Sequence, residues 1–391
     1  MRIGYTNDSY PEQRTIVQPN SNDLVAIKSF NHYFVGAAQK RIPVLNKFYR
    51  TVFYETILEK KEIDGLHFFN SVSSTDIPWI STYETCIPRV SQMSFLYDEE
   101  KPIHEKEIQR IEKYVKLLAG DSCRKIVAMS KINEQMQRDF LSFFPRYAAG
   151  IQDKMVQLYP PQSKIVERDF VENKRSNHPV KFIFVGKFFN LKGGNEIVEV
   201  FDKIYQETDY EFELLLVSLE DMNNHAFGSF KDEDAYFVET KEKIAACPFI
   251  QLVSYMENKE LLERLKEFDV GLLPTWADTF GYSVLEMQAV GCPVITTNVR
   301  ALEEINNNEV GWILEHPVTK YKEVHITSQE QKNILRENIQ FQLESVVRNI
   351  LANPEQIKEK SLKAYDQVSS QHSVEMYQEK LNELYCESFE N

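Results

Sequence analysis

The stretch Leu272-Leu273-Pro274-Thr275-Trp276-Ala277-Asp278-Thr279-Phe280-Gly281-Tyr282-Ser283-Val284-Leu285-Glu286, continued by Met287 to Cys292 and Pro293-Val294-Ile295-Thr296-Thr297, decides the fold. An apolar run from Val270 to Leu273 stops at a proline, a short polar loop follows, and Gly281 opens a segment of helical spacing that ends at Gly291. That is strand, loop, helix, strand. Two carboxylates, Asp278 in the loop and Glu286 within the helix, bracket the helix start, whose backbone N–H groups favour an anion. The stretch predicts a phosphate-bearing ligand.

Working outward, Val180–Gly186 reads as a buried strand and Lys187 to Gly194 as a loop that enters a helix over Asn195–Tyr205. A glycine-containing loop with two lysines suits a diphosphate, because backbone N–H groups approach closely and the ammonium groups supply charge. It is neither a Walker loop nor GxGxxG, and a plain strand-to-helix turn is the competing reading. Further strands are expected at Phe212–Val217, Phe249–Val253, Asp269–Leu273 and Val310–Leu314, with helices at Asn258–Glu267 and Ala301–Asn306. An acidic segment runs from Glu220 to Glu242. From Ser328 the chain reads as helical, broken at Pro354 and restarted at His372-Ser373 for a last helix, Val374–Tyr385.

Residues 1–160 also alternate. Strands are expected at Arg2–Tyr5, Gly65–Phe69, Trp79–Ser81 and Lys125–Ala128, and helices at Leu24–Lys40, Lys47–Lys60, Glu105–Leu118 and Lys131–Phe143. Such alternation implies a mostly parallel sheet with ligands at the carboxyl ends of its strands. The loops Thr6 to Gln13, Asn70 to Asp76 and Thr82 to Arg89 fall there, so Tyr83 or Glu84 becomes a candidate for an acceptor pocket, against the reading of an ordinary capped loop. Gln39 to Arg41 and Lys47 to Tyr54 mix cations with aromatics, which fits either an anionic membrane surface or an amphipathic helix packed inward. The pattern changes near Leu158-Tyr159-Pro160-Pro161, and Glu167 to Pro179 is polar without periodicity; a domain boundary belongs in this region.

The 391 residues suffice for two domains. A formal charge of −14 argues against a general nucleic-acid binder. Residues 1–160 hold 21 Lys and Arg against 19 Asp and Glu, leaving 24 against 40 for the rest, so the two parts present different surfaces. The five cysteines form no CxxC pair, which suggests neither a disulfide framework nor a zinc site and makes a reducing cytosol the expected compartment. No apolar run approaches membrane-spanning length, so any membrane contact is expected to be peripheral.

Phe182–Gly194, Phe249–Leu273 and Pro274–Ile305, in this order and spacing, resemble the donor-binding domain of family 4 glycosyltransferases, retaining enzymes of the group 1 type. The resemblance is specific over about 180–315 and only architectural over 1–160. It implies the GT-B fold, with two Rossmann-like α/β domains, parallel sheets facing a central cleft, and a terminal helix returning to the first domain. The implied limits are 1–170, 171–368 and 369–391, for acceptor domain, donor domain and returning helix.

Carried over residue by residue, the resemblance puts the donor diphosphate on Lys187 and Lys192 with the backbone of Gly281, Tyr282 and Ser283. It puts the ribose on Glu286, the transferred sugar on Asp278, and the base beside Tyr255 and Met256. Asp278 and Lys192 are the catalytic residues the resemblance implies, and Glu84, singled out by its loop position, joins them as the candidate for orienting the acceptor. The sequence departs from the family in several places. Asp278 is one methylene shorter than the family's glutamate, no Gly-x-Gly-Pro turn follows Val217, and Thr6-Asn7-Asp8-Ser9 replaces a glycine pair. The family's frequent histidine is replaced near Tyr83-Glu84.

The implied reaction is transfer of a hexose-type sugar from a nucleotide diphosphate sugar, UDP favoured over GDP, to an acceptor hydroxyl with retained configuration. No metal or other cofactor is expected. The acceptor class stays open among glycan, lipid-linked and protein acceptors, in the cytoplasm or at the inner membrane face. An epimerase or phosphorylase of the same architecture, and a degenerate subunit that stabilises an active partner, are the alternatives.

Overall fold

Apolar runs bounded by turn residues, alternating with amphipathic helices, assemble into two six-stranded parallel sheets. The computed structural model describes residues 1–17, 21–40, 52–59, 61–89, 105–174, 179–218 and 234–390. The chain divides into one unit of residues 1–161 and 372–391 and a second of residues 162–371.

In the first unit the chain runs β1 (Arg2–Tyr5), α1 (Tyr10–Glu12), β2 (Asp23–Ala26), β3 (Ser29–Asn31), α2 (Tyr33–Lys40), β4 (Tyr54–Ile57), β5 (Gly65–Phe69), β6 (Val72–Ser73) and β7 (Trp79–Tyr83). It continues through α3 (Glu105–Ala119), β8 (Cys123–Ala128), α4 (Lys131–Leu141), α5 (Pro145–Gln152) and β9 (Met155–Gln157). The main sheet has the order β2-β1-β5-β7-β8-β9. β3, β4 and β6 form a second, three-stranded sheet, in which β3 and β4 are antiparallel.

Two expectations are corrected here. Leu24–Lys40 is not one helix: its start is β2, paired with β1 from Arg2↔Asp23 to Tyr5↔Ala26, then comes β3, and only Tyr33–Lys40 is helical. Nor is the end of Lys47–Lys60 helical, since Tyr54–Ile57 is β4; residues 41–51, with most of the basic and aromatic stretch, lie outside the described residues. In both places long-range strand pairing overrides a local pattern compatible with a helix. The strands Met155–Gln157 and Val72–Ser73, and the helix Pro145–Gln152, were not foreseen.

The second unit opens with α6 (Arg168–Asn173), a helix inside the stretch read as lacking periodicity, where Val171 alone is buried. It continues as β10 (Val180–Val185), α7 (Gly194–Glu207), β11 (Phe212–Val217), α8 (Asp234–Ala246), β12 (Ile250–Val253), α9 (Asn258–Leu265) and β13 (Val270–Leu273). Next come α10 (Tyr282–Gln288), β14 (Val294–Thr297), α11 (Leu302–Ile305), β15 (Trp312–Leu314), α12 (Gln329–Ala352) and α13 (Glu355–Gln371). The acidic segment falls outside the described residues over 219–233.

These elements form a sheet of order β12-β11-β10-β13-β14-β15, parallel throughout. Phe182, Phe184, Leu214, Leu216, Val270, Leu272 and Ile295 lie in one core with Phe201 of α7 and Ile339, Leu343 and Val347 of α12. Helical cover on a parallel sheet explains why β10 and β13 read as continuous apolar runs rather than alternating ones. Each such side chain contributes about 1.5–3 kcal/mol by leaving water.

The last helix, α14 (Val374–Phe389), belongs to the first unit. Tyr377, Leu381, Leu384 and Tyr385 pack with Ile3, Ile80 and Val127 of its main sheet. The unit limits fall at 161/162 and 371/372, where the sequence reading placed them at 170 and 368.

Candidate functional site

β10 lies between β11 and β13, so the chain leaves it in one direction through β11 and β12 and returns on its other side at β13. This is a topological switch point, and the loops after β10 and β13 flank the crevice it opens. Gly193 makes their approach possible. It has φ +86°, and a Cβ there would run into the Pro274 carbonyl. Beside it, the Trp276 N–H donates to the Leu191 carbonyl at 2.9 Å and the Thr275 hydroxyl to the same oxygen at 3.2 Å.

Lys192 then reaches across. Its ammonium donates to the Ala277 carbonyl at 2.8 Å and to Asp278 Oδ2 at 2.7 Å. The side chains are 16% and 14% exposed, so this pair is far better shielded from water and salt than a surface ion pair. The other carboxylate oxygen, Oδ1, accepts from the Thr279 and Phe280 N–H groups at 2.7 and 3.2 Å. Asp278 thereby fixes the turn that delivers Gly281, the cap of α10, at φ +94°; a Cβ there would lie 2.6 Å from Leu302 Cδ2. The first turn of α10 holds Tyr282 and Ser283, with the dipole end that favours anions.

One turn further, Glu286 is 5% exposed, and its Oε1 accepts from Asn258 Nδ2 at 3.3 Å. Asn258 is the first residue of α9, directly after the loop that holds Tyr255 and Met256; Tyr255 is 65% exposed and Met256 half-buried. Lys187 is exposed, its ammonium 5.8 Å from the centroid of the Phe188 ring, and it makes no ion pair among the described residues. The structure thus joins Lys192 to Asp278, and Glu286 to Asn258 just after the 254–257 loop, while the two lysines of the β10 loop differ in setting. Sequence reasoning missed Asn258 and also the support from α12, where Arg336 lies 3.4 Å from Glu196 Oε1 and 5.9 Å from the Trp276 ring centroid. Nothing in a lone asparagine or a distant arginine announces such contacts.

In the first unit the corresponding switch point is at β1, between β2 and β5. The three loops singled out in the sequence converge there on a cavity of about 200 Å³, lined by Asn7, Ser9, Glu12, Asn31, Glu55, His67, Asn70 and Glu84 among others. Glu84 accepts from Asn70 Nδ2 at 3.1 Å and pairs with Arg89, while its N–H donates to Asn70 Oδ1 at 3.1 Å. Tyr83, the alternative candidate, is fully buried. Glu12 accepts from Asn7 at 2.9 Å and from Ser9, and burial raises its pKa above the ordinary carboxylate value. Glu55, in a strand the sequence reading took for helix, accepts from Asn31 at 2.9 Å and from Ser29. His67 bridges the Tyr385 and Thr82 hydroxyls at 2.8 Å each, and burial pushes its pKa down to about 3, which keeps the ring neutral.

Among the described residues no three His, Cys, Asp or Glu side chains are grouped to hold a metal ion. No helix among them is long and apolar enough to cross a membrane.

Residues 166–340 match the sequence profile of the family described as "Glycosyl transferases group 1". One relative is the capsular polysaccharide biosynthesis glycosyltransferase CapM of Staphylococcus aureus, 30% identical over 42% of this chain and 39% of its own. The curated relatives are matched over only 31–39% of their length. Among solved structures, sucrose-phosphate synthase of Thermosynechococcus elongatus superimposes with a TM-score of 0.59 at 13% identity, over 98% of both chains. HepE of Anabaena in complex with UDP-glucose gives 0.50 at 14% identity, over 82% of this chain and 78% of its own. These likenesses show the GT-B architecture. The profile match, residues 166–340, falls within the second unit, the one that holds Lys192, Asp278 and Glu286.

Proposed function

We propose that this chain is a glycosyltransferase that moves a hexose-type sugar from a nucleotide diphosphate sugar to an acceptor hydroxyl with retained anomeric configuration. The observation that carries the reading is the joining of Lys192, Asp278 and the start of α10 at the switch point, with Glu286 one turn along. Departure of a nucleoside diphosphate builds negative charge, and an ammonium with the N-terminal end of a helix stabilises it. In this reading Lys192 and the backbone of Gly281 to Ser283 take the diphosphate, with the exposed Lys187 as a second point charge. Glu286 accepts the ribose hydroxyls, and Tyr255 and Met256 flank the base. These cations serve in place of a divalent metal.

UDP is favoured as the carrier, in keeping with the UDP-glucose complex of HepE. The polar cavity of the first unit, with Glu84 at its edge, is assigned to the acceptor, a glycan on a lipid or protein carrier. The capsular relative supports polysaccharide assembly as the setting, at the inner face of the membrane with the first part of the chain, which lacks the acidic excess of the rest, toward it. A thermal-shift panel of nucleotide diphosphate sugars tests the donor assignment, because a ligand of the folded state raises its stability with the logarithm of concentration over Kd. Stabilisation by one base and sugar is expected, and no shift with any of them would remove the assignment.

A further inference from the structure

We propose that Asn258 is a positioning residue for nucleotide recognition, one that holds the Glu286 carboxylate in the orientation that receives a ribose. The proposal rests on the reading of Glu286 as the ribose acceptor.

Glu286 is a 5% exposed carboxylate within a short helix, flanked in sequence by the buried Leu285 and Met287. A carboxylate in such a place requires donors to offset its lost hydration. Asn258 supplies one to Oε1, from a different helix and 28 residues away. The chemistry of the donor matters. A neutral amide orients the carboxylate without cancelling its charge, and this one bond takes a single lone pair of Oε1. A lysine there would compete with the ligand through an ion pair. An aspartate would place like charge beside like charge and disfavour the ionised form.

The position of Asn258 adds a second consequence. It is the first residue of α9, and Glu257, its cap, ends the loop that presents Tyr255 and Met256. One side chain therefore ties the loop assigned to the base to the carboxylate assigned to the sugar of the same nucleoside. Base and ribose recognition become coupled through a contact that involves neither phosphate nor transferred sugar.

The test is calorimetric titration of the full chain and its N258A and N258D variants with UDP, GDP and their 2′,3′-dideoxy counterparts. Wild type should prefer the ribose form of the nucleotide it binds. N258A should weaken that form about fivefold or more and N258D further, while the dideoxy form keeps its affinity; because each change takes a donor from a buried carboxylate, the melting temperature should fall by a few degrees, more in N258D than in N258A. Unchanged preference for ribose in N258A would overturn the proposal. So would equal weakening of ribose and dideoxy forms, which would mark a purely structural role in the loop. If wild type binds neither nucleotide, or binds ribose and dideoxy forms alike, the assignment of Glu286 falls, and the proposal with it.

Discussion

The Lys192 ammonium lies 2.7 Å from Asp278 Oδ2, although 86 residues separate the two in the chain. The pair joins the loops on either side of the switch point and brings an ammonium and a carboxylate to the start of α10. Removing the ammonium should leave Asp278 partly shielded and unmatched while taking a cation from the diphosphate. Lys192→Ala is therefore expected to lower kcat/KM at least about tenfold, equivalent to roughly 1.4 kcal/mol of transition-state stabilisation. Steady-state kinetics with the donor found in the thermal-shift panel would check this, and full activity would remove Lys192 from the site.

Glu286→Ala is expected to cost a similar factor, at least about tenfold, by a different route. It deletes a ribose partner present in ground and transition states alike, so the loss should fall mainly on KM for the donor. A loss confined to kcat would contradict the ribose role.

Gly193→Ala tests the meeting of the two loops. Its φ of +86° disfavours any side chain, and the added Cβ would press on the Pro274 carbonyl. Strain of this kind costs on the order of 1–3 kcal/mol, and in a unit of this size each kcal/mol lowers Tm by about 2–4 °C. Calorimetry should show the decrease, together with a raised donor KM. A variant of wild-type Tm and KM would mean the loops can part at little cost.

Glu84→Gln separates the proposed acceptor cavity from the donor loops in function. Glu84 sits in the first unit, bound to Asn70 and Arg89. UDP affinity should remain as in wild type while transfer to the acceptor falls several-fold. A variant that loses nucleotide binding instead would place Glu84 outside the acceptor role.

Much of the second unit is legible in the sequence because its central strands β10 and β13 are apolar runs ended by Gly186 and Pro274. Val270–Leu273 stops at Pro274, and Gly281 and Gly193 occupy conformations that side chains rarely adopt. The first unit hides more. β2 is a four-residue edge strand stabilised by pairing with β1, and β4 is polar, with Glu55 buried and satisfied by Ser29 and Asn31 from β3. A buried glutamate looks like a surface residue until its donors, more than twenty residues away, are known. The same holds in the donor site: Asp278 and Glu286 announce themselves by spacing, but Asn258 and Arg336 matter only through contacts that folding creates.

His67 gives the last prediction, in acid. Its pKa is lowered to about 3 in the folded chain by burial, against 6.5 for the exposed group, so below pH 6.5 the unfolded chain takes up a proton that the folded chain refuses. His372, lowered to about 4 for the same reason, acts with it. The sign follows from linkage: the stabilisation is present above pH 6.5 and is lost as pH falls from there toward 4, because protons favour the unfolded state. Glu12, whose pKa is raised, works in the opposite sense, since acid relieves the cost of its buried charge. Two histidines with large shifts outweigh one carboxylate with a smaller one, so the urea midpoint should decline between pH 7 and 5. His67→Gln should be less stable than wild type at pH 7, because its neighbours Tyr385 and Thr82 lose well-placed partners, yet decline less steeply with acid. An equally steep decline in the variant would show that His67 is not the group that titrates.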